Sequence, residues 1–146
     1  MPPMPIHDFL LRLLAITRTI QAWHAALLAL DQSRRDKLAG YADEIAATFG
    51  RAAQAFTVLD LRPSDAAARR DAVRELGRLS GYIEDLLGVL EAALDGRKLA
   101  GLKRRLARLQ APLPSPQAVA SRDRTRLETL LDAEGYFRAL ADGLRA

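Results

Sequence analysis

The sequence predicts an all-α protein, an antiparallel helical bundle of four long helices plus one short basic amphipathic helix. Three observations predict it. Hydrophobic residues, mostly Ala and Leu, make up 49% of the chain. They recur at steps of three and four, and no segment alternates in the manner of a strand. With 146 residues and no internal repeat, one domain over residues 1–146 is large enough to bury a core.

The first helix is predicted over residues 6–30. Pro5 suits its start, because the N–H that proline lacks has no helical partner in a first turn. Its apolar positions follow a 3-4 spacing and are Ile6, Phe9, Leu13, Ile16, Ile20, Trp23, Leu27 and Leu30. Additional leucines widen this face beyond a coiled-coil seam, which indicates a bundle helix with more than one neighbour.

The second helix is predicted over residues 33–61, with Ser33 as its N-cap. Gly40 and Gly50 weaken it. That the first two helices form one long bent helix is an open alternative. Pro63 ends the second helix, and Ser64 or Asp65 caps a third over residues 64–95.

Three glycines occupy one strip beside the apolar face of the third helix: Gly77, Gly81 and Gly88. Each costs a helix roughly 1 kcal/mol relative to alanine. Their clustering predicts a close approach by a neighbouring helix, in the same chain or in a second subunit. We therefore take them as candidates for close helix packing or self-association.

The short fourth helix is predicted over residues 97–110, after a turn at Asp95 and Gly96. Three alternating prolines then make residues 111–116 a stiff connector. Ser115 and Pro116 suit the start of a last helix, predicted over residues 116–144.

The short helix, RKLAGLKRRLARL, carries the basic excess of the chain. Its four leucines share a sector of about 80°, while most of its basic residues occupy the polar side. Those basic residues are Arg97, Lys98, Lys103, Arg104, Arg105 and Arg108, with Lys103 on the opposite flank. Subtracting these six from the 22 basic residues leaves 16 against 18 acidic ones. We predict a helix that docks by its leucines and shows a cationic ridge, the candidate surface for an anion or a partner.

Three interpretations of this ridge stay open. It is either a solvated outer face that acidic residues of neighbouring helices partly neutralise, or a binding surface for nucleic-acid phosphates or an acidic protein, or a membrane-surface element. No Asn, Gln or aromatic residue accompanies the basic ones, so nucleic-acid binding through it would be insensitive to sequence.

The residues that carry most enzyme chemistry are few. Cysteine is absent and histidine occurs twice, which leaves no zinc set, and neither histidine has a glutamate three residues before it, as di-iron bundles require. No glycine-rich phosphate loop follows a strand. We expect no catalytic residue, metal or cofactor. His24, flanked by apolar residues, is expected to be partly buried.

One short motif points elsewhere. Arg18 and His24 enclose five residues, and this R-x5-H string resembles the short motif of HEPN-type ribonucleases, in which Arg and His act on RNA phosphates, often across a dimer. The resemblance covers seven residues. Thr19 stands where that motif usually has another polar residue, often Asn or Asp.

These observations predict a non-enzymatic helical interaction or adaptor protein that self-associates as a homodimer or higher homo-oligomer. The alternative is a sequence-independent nucleic-acid-binding module that uses residues 97–109, and a distant third is a HEPN-like dimeric ribonuclease. No apolar run is long enough to span a membrane, and no secretory signal is evident. A protein partner in the bacterial cytoplasm is therefore expected, with nucleic acid as the alternative partner.

Overall fold

The computed structural model of the chain describes residues 6–91, 96–110 and 125–146. This part of the chain is helical and contains no strand, so the predicted all-α class is confirmed. The helices are α1 (Ile6–Ala22), α2 (His24–Leu28), α3 (Gln32–Leu61), α4 (Ala66–Leu90), α5 (Gly96–Gln110) and α6 (Thr125–Arg145).

The prediction of one helix over residues 6–30 is wrong. Trp23 leaves the helical conformation, with φ −91° and ψ 8°, and separates α1 from α2. Its N–H donates to the carbonyl of Ile20 at 3.0 Å, the tighter spacing of a 3₁₀ turn. The indole is 9% exposed and Leu27 is 1% exposed, so both side chains still reach the core. No glycine or proline marks this break in the sequence.

Helix α3 begins at Gln32 and ends at Leu61, within one residue of the prediction, and it is separate from the preceding helices. The predicted N-cap is wrong: Ser33 lies within the helix, and Asp31 occupies the N-cap position without a side-chain hydrogen bond. The apolar positions of α3 recur at steps of three and four and are buried, apart from the half-buried Tyr41: Leu38, Tyr41, Ile45, Phe49, Ala52, Phe56 and Leu59. Small residues on the same helix are buried as well: Ala39, Ala42, Ala46 and Ala53. The buried surface is therefore broad, and α3 packs against both α4 and α6.

Helix α4 is capped by Asp65, whose carboxylate accepts a hydrogen bond from the backbone N–H of Ala68 at 3.0 Å. This outcome confirms one of the two predicted caps. The helix ends at Leu90 rather than at residue 95. Residues 92–95, the proline connector over 111–116 and the predicted start of the last helix at 116 lie outside the described residues.

Contacts between helices close a ring: α1 packs against α5 and α6, α5 against α4, α4 against α3, and α3 against α6. Two ion pairs, both at 2.5 Å, link α3 and α6. Asp43, in the first half of α3, pairs with Arg145 at the end of α6, and Asp60, near the end of α3, pairs with Arg126 at the start of α6. These two helices therefore run in opposite directions. Helix α5 is held between α4 and α1.

Candidate anion-binding surface

Helix α5 docks on the core through the predicted leucine stripe. Leu99, Leu102 and Leu106 are each no more than 3% exposed. Burial of a leucine side chain contributes roughly 1.5–3 kcal/mol, which suffices to orient a short helix whose other face is charged. The docking directs one flank of α5 toward α4 and the other toward α1.

The flank toward α4 is the one that carries Lys103. Its ammonium group pairs with the carboxylate of Glu91, and both side chains are about half exposed. This pair borders a cavity of about 440 Å³ that Glu84 and Asp85 also line. The basic charge on this flank is therefore locally neutralised, as the solvated-face interpretation predicts.

The flank toward α1 is different. Arg105 donates from Nη1 to the hydroxyl oxygen of Thr19 at 3.3 Å, and that hydroxyl donates in turn to the carbonyl of Ala15 at 2.9 Å. A cleft of about 300 Å³ lies between the two helices. Its described lining residues are Arg12, Ala15, Arg105 and Arg108.

Arg12 is the residue that the sequence interpretation missed. It is exposed on α1, and only the packing of α1 against α5 brings it to the ridge. Within the described ranges, no carboxylate lies within 4.0 Å of Arg12, Arg105 or Arg108. Arg12 could have been predicted from the sequence only if α1 and α5 had been known to be neighbours.

The other ridge candidates are placed as follows. Arg97 and Arg104 are exposed on α5. Lys98 lies on α5, and its side chain is outside the described part of the structure. We define the basic surface as the exposed arginines of α5 together with Arg12: Arg12, Arg97, Arg104, Arg105 and Arg108.

The glycine strip of α4 is open. Gly81 and Gly88 are exposed, and a Cβ added at either would meet no atom within 4 Å in the described part of the chain. Gly77 is half-buried. Among the glycines whose surroundings the structure describes, a close approach occurs at Gly50, where an added Cβ would lie 3.1 Å from a carboxylate oxygen of Glu134. Self-association through the strip stays a prediction.

His24 is exposed, so the expectation of a partly buried imidazole is wrong. It begins α2, because the break at Trp23 turns the chain after α1. Arg18, its partner in the R-x5-H string, is exposed on α1. The two residues therefore stand on separate helices, and the ribonuclease hypothesis stays a prediction that activity of wild type against His24→Ala would test.

A second charged cluster lies between α3 and α4. Glu75 is 4% exposed and accepts hydrogen bonds from Arg51 at 3.0 Å and from Arg78 at 3.4 Å. Arg51 also donates to the hydroxyl of Thr48 at 3.0 Å. These hydrogen bonds pair the buried carboxylate and join the two helices. A structural role therefore explains why Glu75 is buried, and no catalytic role is needed.

The comparisons with known proteins give no relative: no protein-family model, curated protein or solved structure matches the chain. Among the described residues, no group of three or more His, Asp or Glu side chains could hold a metal ion. No helix in those ranges combines the length and the apolar character that a bilayer crossing demands. The distribution of charge over the fold is the observation on which a function rests.

Proposed function

We propose that the protein is a non-enzymatic binding module that holds nucleic-acid phosphates on the basic surface of α5 and α1, without reading sequence. One observation carries the proposal. Helix α1 places a further arginine, Arg12, beside the arginines of α5. If this face were only solvated, a carboxylate that neutralises the arginines would be expected at this place.

The composition of the surface favours phosphate as the ligand. Guanidinium groups present several N–H donors in a fixed fork that matches phosphate oxygens, and they keep their charge at all relevant pH values. Leu99, Leu102 and Leu106, which alternate with these arginines along α5, are buried in the core, so they do not interrupt the charged surface. Since Asn, Gln and aromatic side chains are absent from the ridge, the side chains that read adenine or stack on bases are missing, and contacts to phosphate should dominate.

The architecture that presents this surface is, in our proposal, the antiparallel bundle predicted from the sequence, with α5 as the short docked helix. The opposed directions of α3 and α6 support it. A cytoplasmic location stays a prediction from the sequence, and it would place the surface where nucleic acid is found.

The proposal is tested by charge reversal at matched positions. Arg108→Glu alters the basic surface, and Arg70→Glu alters an exposed arginine about 20 Å along α4 from its contact with α5. Both variants lower the net charge by the same amount. We expect Arg108→Glu to lower the affinity for a fluorescently labelled 20-nucleotide DNA at low salt about tenfold or more. Arg70→Glu should change this affinity much less. Absence of binding by the wild type, or equal losses, would contradict the proposal.

The second candidate function is that of a self-associating interaction protein or adaptor. The exposure of Gly81 and Gly88 favours it, because a second copy of α4 could approach a surface without Cβ atoms closely. The two functions are compatible, since the glycine strip and the basic surface lie on different helices.

A further inference from the structure

The cleft between α1 and α5 is a concave part of the basic surface. It is a concavity of about 300 Å³, at the lower end of the roughly 300–1,000 Å³ typical of small-ligand sites. Arg12 borders it from α1, while Arg105 and Arg108 border it from α5. Arg104, by contrast, is exposed on the ridge and does not line the cleft.

Among the described residues, the charge around the cleft has one sign. All three long side chains that line it in the described structure are arginines. Like charges around a partly enclosed space repel one another more strongly than they would in open water, because the protein displaces solvent of high dielectric constant. An anion in the cleft would convert this repulsion into attraction.

One of the three guanidinium groups is already positioned. Arg105 spans the two helices through its hydrogen bond to Thr19, and this bond uses one of the five N–H donors of the group. The remaining donors are available to a ligand. Arg12 and Arg108 make no ion pair with any described residue.

We propose that this cleft binds a phosphomonoester group, such as the 5′-phosphate end of a nucleic acid. A phosphomonoester carries a charge of about −1.5 to −2 at neutral pH and three terminal oxygens, which suits three arginines better than the single charge of an internal phosphodiester. A monoester also has one substituent, so it can enter a concavity end-on. The inference rests on the proposed function, because the same arginines belong to the basic surface.

The test compares two oligonucleotides of the same sequence, one with a 5′-phosphate and one with a 5′-hydroxyl, by fluorescence anisotropy at low salt. Ribose 5-phosphate serves as a competitor and, in a separate titration, as a free ligand. The variants are Arg12→Ala, which alters the cleft, and Arg104→Ala, which alters the ridge alone. Both residues are exposed, so thermal melts of the two variants should match that of the wild type.

The wild type should bind the 5′-phosphorylated strand at least about tenfold more tightly than the other, a difference of 1.4 kcal/mol. Arg12→Ala should abolish that preference, while Arg104→Ala weakens both strands alike. Equal affinity of the wild type for the two strands overturns the inference. If Arg108→Glu then loses affinity for both strands, the proposed function still holds. Binding of ribose 5-phosphate that depends on Arg12, with neither strand bound, supports the cleft and removes the nucleic-acid function.

Discussion

At the scale of single residues, Arg126 is a large cation in the core. It is 1% exposed, lies 4.6 Å from the centroid of the Phe56 ring and pairs with Asp60 at 2.5 Å. Burial of a charge is costly unless it is paired, and a guanidinium group also packs as a flat apolar plate against an aromatic ring. The start of α6 is therefore fixed to α3 by one side chain.

We expect Arg126→Ala to lower the free energy of unfolding by about 3 kcal/mol, because it removes the ion pair and leaves a cavity beside Phe56. Arg126→Met keeps most of the volume and should cost about 1 kcal/mol. Urea denaturation measures both, with Arg138→Ala, an exposed residue paired with Glu134, as a control near 0.5 kcal/mol. A loss in Arg126→Ala no larger than the control's would refute the structural role of this side chain.

Tyr136 is the residue for which alkaline pH should matter. Burial raises the pKa of its phenol to about 12 from 10.0, because the ionised form loses hydration. The hydroxyl has no hydrogen-bond partner in the described part of the chain. Since the folded pKa is the higher one, the contribution to stability is complete below pH 10 and is lost as pH rises toward 12.

Tyr136→Phe should thus reduce the loss of stability between pH 10 and 12, which for one such group has a slope of up to about 1.4 kcal/mol per pH unit. At pH 7 the variant should be as stable as the wild type, because no hydrogen bond is lost. The measurement is urea denaturation at a series of pH values, with Tyr82→Phe as the matched control. Parallel stability curves for Tyr136→Phe and the wild type would contradict the assignment.

At the scale of elements, the sequence predicts helices well where apolar spacing and caps agree. The end of α3 before Pro63 and the Asp65 cap of α4 follow from such local signals, whereas the predicted Ser33 cap of α3 does not form. The break at Trp23 does not, because the apolar spacing continues through it and tertiary packing alone decides where the chain turns. The leucine stripe of α5 predicts that this helix docks on the core, but it does not predict that α4 and α1 are the helices it packs against.

The glycine strip on α4 gives a prediction at this scale. Gly81→Ala together with Gly88→Ala should raise the stability of a monomer by up to about 1 kcal/mol per site, since neither Cβ meets an atom. If the strip is a contact between two copies, the same methyl groups should weaken self-association. Thermal melts and light scattering of this double variant, compared with Gly40→Ala on α3, separate the two effects. A monomeric wild type at all concentrations would remove the self-association candidate.

At the scale of the whole molecule, the charge of the chain is uneven and the fold concentrates it further. The sequence predicts the cationic ridge, because the six basic residues of one helix exceed the net charge of +4. It does not predict Arg12 as a member, since that depends on α1 and α5 being neighbours in the ring. Nor does it show that Lys103 is paired with Glu91 while the arginines facing α1 have no carboxylate beside them in the described chain.

The central claim, that these arginines bind nucleic-acid phosphates, is tested most directly by the salt dependence of binding. Contacts from the five arginines of the basic surface should give the logarithm of the affinity for duplex DNA a slope of about −4 to −5 against the logarithm of salt concentration. Arg108→Ala should make the slope shallower by about 0.9, with no change between DNA sequences. A slope near zero, or one that Arg108→Ala leaves unchanged, would contradict the account.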